Sequence, residues 1–246
     1  MKKFIFDFDG VICDSTPECF VTSNNAWNEI NKKNIKKLNY SIFVDSKIYK
    51  RFSKFRPFIK GGGEYFIFYY MEENKIKQNY QNYLLLKKKL IKNINNYSKF
   101  FYKERNNLKK NNLKKWIKLN YIFPDVLKLI RKLNNNNQLL ISTMKDKKSI
   151  LSLLRDKNLN IDEDKILDQF EIKNKLESIK LFMKRFKINK SDIYFFDDNI
   201  NHILNPKKDG FNVYLTTWGY STREFKQIAK KNKITVLNNI KMFNFF

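Results

Sequence analysis

Apolar and polar positions alternate in three textures along the chain. Residues 3–8 form a short apolar run that ends in Asp7-Phe8-Asp9-Gly10, which predicts a buried strand stopping at a turn. From about Thr16 to Asn120 the pattern is rich in Lys, Asn and aromatics and has a helical period. Tyr80, Tyr83, Leu84 and Lys87 share one face, as do Leu90, Ile91 and Ile94. Gly61-Gly62-Gly63 predicts a loop within this stretch. After Pro124 the texture changes back. Asp125 is placed to cap a helix through Leu133, with Val126, Ile130 and Leu133 on one face. Residues 138–143 predict a buried strand and residues 149–156 a helix. Residues 176–187 predict an amphipathic helix, with Ile179, Phe182, Met183 and Phe186 at i, i+3, i+4 and i+7. Residues 193–196 predict a strand ending at Asp197-Asp198, residues 212–215 another, and the run around Val236 a last edge strand. Strands alternating with helices predict an α/β fold with a parallel, Rossmann-like sheet. The expected division is an α/β core from residues 1–15 and 121–246, with a mostly helical insertion over residues 16–120.

Composition narrows the function classes. Hydrophobic residues at 42% and aromatics at 16% exclude a disordered chain despite a formal charge of +26. Cys13 and Cys19 are too few for a disulfide framework and read as reduced thiols. A single histidine, His202, excludes a structural zinc site, and no nucleophile motif accompanies it for a Ser-His-Asp or Cys-His hydrolase. Asp7 and Asp9 interrupt any signal-peptide apolar region, and no run reaches the roughly 18 apolar residues of a membrane span. A soluble, cytoplasmic protein without a membrane partner is expected. The positive charge is nearly all Lys: Arg51, Arg56, Arg105, Arg131, Arg155, Arg185 and Arg223 are its only arginines. Sites that read nucleic acid favour Arg, so specific nucleic-acid binding is not expected. Oligomeric state is not legible.

Three apolar runs end in polar residues: Asp7-Phe8-Asp9-Gly10, Ser142-Thr143, and Asp197-Asp198. Lys173 and Lys175 stand at the start of the helix that leads into the third. In a parallel sheet such strand ends gather at one edge. Carboxylates crowded there within roughly 5 Å would repel by about 3 kcal/mol per pair at an effective dielectric of about 20. A hard divalent cation with oxygen ligands relieves that cost, Mg²⁺ being the usual one in phosphate chemistry.

In this order the motifs resemble those of the haloacid dehalogenase superfamily. Asp7-Phe8-Asp9-Gly10-Val11 is similar to its first motif, and the strand-ending Thr143, the lysine and the late acidic pair to the other three. Asp14-Ser15, and Thr217-Trp218-Gly219-Tyr220 after the last motif, resemble the phosphoglycolate-phosphatase type with a helical cap between the first two motifs. The resemblance covers roughly residues 1–15 and 121–238. It implies a Mg²⁺-dependent phosphatase acting on a small phosphorylated substrate. Asp7 would be the nucleophile that forms an aspartyl-phosphate, and Asp9 the acid and base. Thr143, with Ser142 as its rival, would hold a phosphoryl oxygen. Lys175, or Lys173 in the other register, would neutralise charge. Asp7, the carbonyl of Asp9, and Asp198 would bind the metal, with Asp197 nearby. Asp198 aligns with the first acid of the last motif, so His202 stands where the family has its second acid. His202 is read as lying outside the ligand set, and Asp197 as compensating. Arg56 and Lys60 are candidates to meet an anionic substrate from the cap. Two alternatives remain open: a phosphomutase of the β-phosphoglucomutase type, and a catalytically degenerate basic binding protein on the same core.

Overall fold

A computed structural model of the chain describes residues 1–32, 46–240 and 243, so the helical expectation over residues 33–45 lies outside the described residues. The chain divides into two compact units, Met1–Asp14 with Tyr121–Phe246, and Ser15–Asn120. In chain order the elements are β1 (Lys3–Phe6), β2 (Cys13–Asp14), α1 (Thr16–Ile30), α2 (Lys47–Phe55), α3 (Tyr65–Glu73), α4 (Tyr80–Lys89), α5 (Ile91–Asn111) and α6 (Leu113–Lys118). There follow β3 (Tyr121–Ile122), α7 (Pro124–Asn135), β4 (Leu139–Ser142), α8 (Lys147–Asp156), β5 (Ile166–Leu167) and α9 (Lys175–Phe186). The last are β6 (Ile193–Asp197), α10 (Ile200–Lys208), β7 (Asn212–Thr216), α11 (Arg223–Lys231) and β8 (Thr235–Leu237).

The first unit is built on a six-stranded sheet in the order β5-β4-β1-β6-β7-β8, with every pairing parallel. β1 is central, with Phe6 level with Ile141 on one side and Phe196 on the other. Both faces are covered, which is why these strands read as almost unbroken apolar runs. Ile5, Leu140, Phe195, Val213 and Leu215 pack with Ile179 and Phe182 of α9 and Ile200 and Ile203 of α10. On the opposite face the alternate residues stack as rings, Phe6 on Phe196 and Phe196 on Tyr214, each pair 4.9 Å apart. Since all six strands run the same way, the residues that follow β1, β4 and β6 leave the sheet at one edge.

Several boundaries differ from the sequence reading for local reasons. β1 ends at Phe6, because the next residues close a turn in which the Ile12 and Cys13 N–H groups donate to the Phe8 carbonyl. α7 begins with Pro124 and has Phe123 at its cap, so Asp125 supplies negative charge to the first turn rather than the cap. Gly62–Glu64 winds into a 3₁₀ turn where a plain loop was expected. α9 has Asn174 as its cap, accepting from the Glu177 N–H at 3.0 Å.

The chain leaves the first unit after Asp14 and returns at Tyr121. These two crossings run antiparallel as the ladder of β2 and β3, with Cys13 opposite Ile122 and Asp14 opposite Tyr121. The helical unit has its own core, in which Trp27, Phe52, Phe55, Phe68, Tyr97 and Phe101 are buried. Within it Glu18 of α1 and Arg105 of α5, both buried, form a two-point ion pair with both N···O distances 2.8 Å. Thr22 donates to the same carboxylate at 2.8 Å, and the Trp116 indole N–H of α6 at 3.3 Å. Among the described residues no helix is long and apolar enough to cross a membrane.

Candidate active site

The site is assembled at the carboxyl edge of the sheet. Asp7 directly follows β1, and its N–H extends the ladder by donating to the Phe196 carbonyl at 2.9 Å. Its carboxylate is buried, and Oδ1 accepts from Lys175 Nζ at 2.6 Å. Lys175 is the first residue of α9; its ammonium also donates to the Ser142 carbonyl at the end of β4, so it ties β1, β4 and α9 together. Lys173, by contrast, is exposed, and its backbone N–H donates to Glu177 in the cap of α9. Asp9 stands two residues beyond Asp7, and its Oδ1 lies 3.3 Å from Lys145 Nζ. Thr143 follows β4 and is buried. The Thr143 hydroxyl oxygen accepts from the Lys145 N–H at 3.0 Å. The Ser142 hydroxyl pairs instead with that of Ser178 on α9, at 2.6 Å.

The end of β6 brings Asp197 to the same place. A carboxylate oxygen of Asp7, one of Asp197 and a ring nitrogen of His202 all lie within 4.8 Å of one another. His202 Nδ1 is 3.0 Å from Asp197 Oδ2, and Lys175 Nζ is 3.8 Å from that oxygen. Burial pushes the Asp7 carboxyl up to about 6; Lys175 opposes the rise and the Asp197 charge adds to it. Burial pushes Asp197 upward too, but His202, Lys175 and the Asn199 N–H together hold it below the usual carboxylate range.

Asp198 has a different neighbourhood. Its Oδ2 accepts the Tyr220 N–H at 2.8 Å and lies where a Cβ on Gly10 would come to 2.2 Å. Gly10 has φ +88°, a conformation that suits glycine in this turn. The loop after β7 clasps the same turn. The Trp218 indole N–H donates to the Val11 carbonyl at 3.0 Å, and the Tyr220 hydroxyl to Asp14 Oδ1 at 2.9 Å. Gly219 packs so closely that a Cβ there would sit 1.8 Å from the Gly10 carbonyl oxygen.

The first unit thus gathers Asp7, Asp9, Thr143, Lys175, Asp197 and Asp198 around one sheet edge. Arg56 and Lys60 belong to the helical unit. There the buried Arg56 guanidinium donates to the Ile59 carbonyl at 3.3 Å and lies over the Tyr65 ring, and the Lys60 N–H donates to Glu64 at 2.7 Å. Two further residues join the cluster. Lys145 is 2% exposed, yet in so lysine-rich a chain only its position two residues past Thr143 could have marked it. His202 was expected outside the ligand set. It sits in the first turn of α10, which starts at the end of β6 and turns its ring back on Asp197.

A family profile described as haloacid dehalogenase-like hydrolase matches residues 1–205. The chain belongs to the haloacid dehalogenase-like hydrolases. No curated relative matches this hydrolase by sequence. Solved structures share its fold at low identity. A predicted phosphoglycolate phosphatase from Haemophilus somnus 129PT is 16% identical with a TM-score of 0.63, the match covering 100% of this chain and 97% of the other. A haloacid dehalogenase-like family hydrolase from Streptococcus pneumoniae is 14% identical with a TM-score of 0.62, covering 100% and 98%. A β-phosphoglucomutase from Clostridium difficile is 17% identical with a TM-score of 0.52, covering 99% and 96%.

Proposed function

We propose that this hydrolase is a Mg²⁺-dependent phosphatase that cleaves a small phosphorylated metabolite through an aspartyl-phosphate. The observation that carries the reading is the buried Asp7 carboxylate, gripped at 2.6 Å by Lys175, with a second aspartate two residues on that is itself paired with a lysine. A carboxylate so fixed has one oxygen oriented by Lys175 and the other available to attack phosphorus. An Asp7 oxygen forms the new O–P bond as the bond to the leaving oxygen breaks, and Asp9 gives its proton to that oxygen. Asp9 then takes a proton from water, the water oxygen attacks phosphorus, and the Asp7 O–P bond breaks to release phosphate. Lys175 opposes the charge that builds on the phosphoryl oxygens, and the Thr143 hydroxyl donates to one of them. Lys145 holds Asp9 toward this centre.

The donor set fits a divalent cation. Asp7 and Asp197 oppose two negative charges to one nearby ammonium, and Asp198 adds a carboxylate against the Asp9-Gly10 turn. Asp7, the Asp9 carbonyl, Asp197 and Asp198 would hold Mg²⁺, and the ion would offset charge between nucleophile and phosphate. On this reading the helical unit is the cap that selects the substrate. The test is phosphate release with and without Mg²⁺ from sugar phosphates, nucleotides and phosphoglycolate. Mg²⁺-dependent release is expected, and Asp7→Asn should lower it by several orders of magnitude. Substantial release by the variant would overturn the mechanism.

A further inference from the structure

The residue at the family's second acid position is a histidine, and the structure turns its ring into the carboxylate cluster. We propose that His202 is a direct nitrogen ligand in the divalent cation site, which makes the site select first-row ions such as Mn²⁺ and Co²⁺ over Mg²⁺ more strongly than an all-oxygen site would. The inference rests on the reading that this edge of the sheet holds a divalent cation.

The spacing is close to that of ligands around one ion. Bonds of about 2.1 Å place adjacent ligand atoms of an octahedral ion about 3.0 Å apart and opposite ones about 4.2 Å apart. His202 Nδ1 and Asp197 Oδ2 are 3.0 Å apart, a hydrogen bond that a bound ion would replace, and with an Asp7 oxygen the three donors span no more than 4.8 Å. The turn that carries the ring is held at its start: Asn199 caps α10, accepting from the Asn201 N–H at 3.0 Å, and the Asn199 N–H itself donates to Asp197 Oδ1 at 2.8 Å. One turn thus fixes the carboxylate and the start of the helix that carries the imidazole. The groups facing the ring are the Asp197 and Asp7 carboxylates, with the Lys175 ammonium 3.8 Å from the first and 2.6 Å from the second. Coordination through Nδ1 uses the tautomer in which the ring keeps its single proton on Nε2, so no charge is added to the site.

The chemical consequence follows from donor type. Mg²⁺ prefers oxygen ligands in a near-ideal octahedron and gives up water reluctantly. Imidazole suits later first-row ions, whose affinity for a given site rises from Mn²⁺ toward Cu²⁺. Replacing a carboxylate by an imidazole removes one negative charge and one hard donor, which weakens Mg²⁺ more than it weakens Mn²⁺ or Co²⁺.

The chain's single histidine makes the test clean. Tag-free protein is loaded with Mn²⁺ alone, with no substrate present, and examined by pulsed electron paramagnetic resonance for imidazole nitrogen coupling. Any such coupling can come only from His202. The expected result is nitrogen coupling in the native protein and its loss in His202→Asp. The ratio of Mn²⁺ to Mg²⁺ affinity, from competitive titration, should fall in that variant by at least about tenfold, the low end of what even an outer partner of a metal site contributes. Mn²⁺ bound without nitrogen coupling would overturn the inference while leaving the phosphatase reading intact. No Mn²⁺ binding at all would overturn both. If His202→Asp fails to fold, the native spectrum alone decides.

Discussion

Asp7 concentrates the conflict between folding and function. Its carboxyl titrates near 6 in the fold against 3.8 for an unhindered aspartate, because burial and the Asp197 charge outweigh Lys175. A raised carboxyl pKa means the folded state binds the proton more tightly than the unfolded chain does. The group therefore costs stability as pH rises from about 4 to about 6, and the cost stays constant above that window. Without metal, Asp7→Asn should raise the melting temperature above pH 6 by an amount worth about 3 kcal/mol, and the gain should vanish toward pH 4. Thermal melts across that range check it, and a variant less stable than the parent at pH 7.5 would refute it. The same residues show what can be read from sequence. Asp7 and Asp9 are legible because two aspartates closing an apolar run have few reasons to be there. Lys145 is not, since only its burial separates it from the surrounding lysines. Nor is the division of labour between Asp197 and Asp198. That depends on which way a strand end rotates each side chain, and on a loop more than 20 residues later whose Tyr220 N–H takes Asp198.

The elements that position the site differ in how openly they are written. β1, β4, β6 and β7 are apolar because both sheet faces are covered, so their runs stand out. β5 has only two residues and carries no period of its own. α10 is obscured by Pro206 inside it. The Trp218-Gly219-Tyr220 loop, legible through its resemblance rather than any period, is among the most consequential, since it touches the residues after β1 at Val11, Gly10 and Asp14 and holds Asp198 as well. A methyl group on Gly219 would meet backbone at 1.8 Å, and backbone cannot yield as a side chain can. Gly219→Ala is expected to cost about 2–4 kcal/mol of stability and most of the turnover. Tyr220→Phe keeps the backbone donor to Asp198 and loses only the hydroxyl bond to Asp14, so it should retain folding and the larger part of the rate. Equal damage from the two would show that the loop acts through its side chains rather than through its close approach.

At the scale of the molecule each unit has a core of its own, and the helical one contains a buried charge pair. Removing one partner of such a pair strands the other: Glu18→Gln should cost about 3–5 kcal/mol, and exchanging both residues for apolar ones of similar size should cost far less. Melts of the two variants test this, and a harmless Glu18→Gln would mean the guanidinium reaches water. The two chain crossings have a wider consequence. Because Asp14 lies opposite Tyr121 at the end of a two-stranded ladder, the backbone that departs and the backbone that returns are already neighbours. To the sheet, about a hundred residues are equivalent to the tip of a hairpin. An Asn-Gly turn joining residue 14 to residue 121 satisfies the same ladder, and the shortened protein is expected to keep its parallel sheet and the proposed affinity for divalent cations. The sheet-bearing part and the helical part are then separable in inheritance. A lineage can trade the helical part whole, at one splice point, without breaking a pairing of the six-stranded sheet.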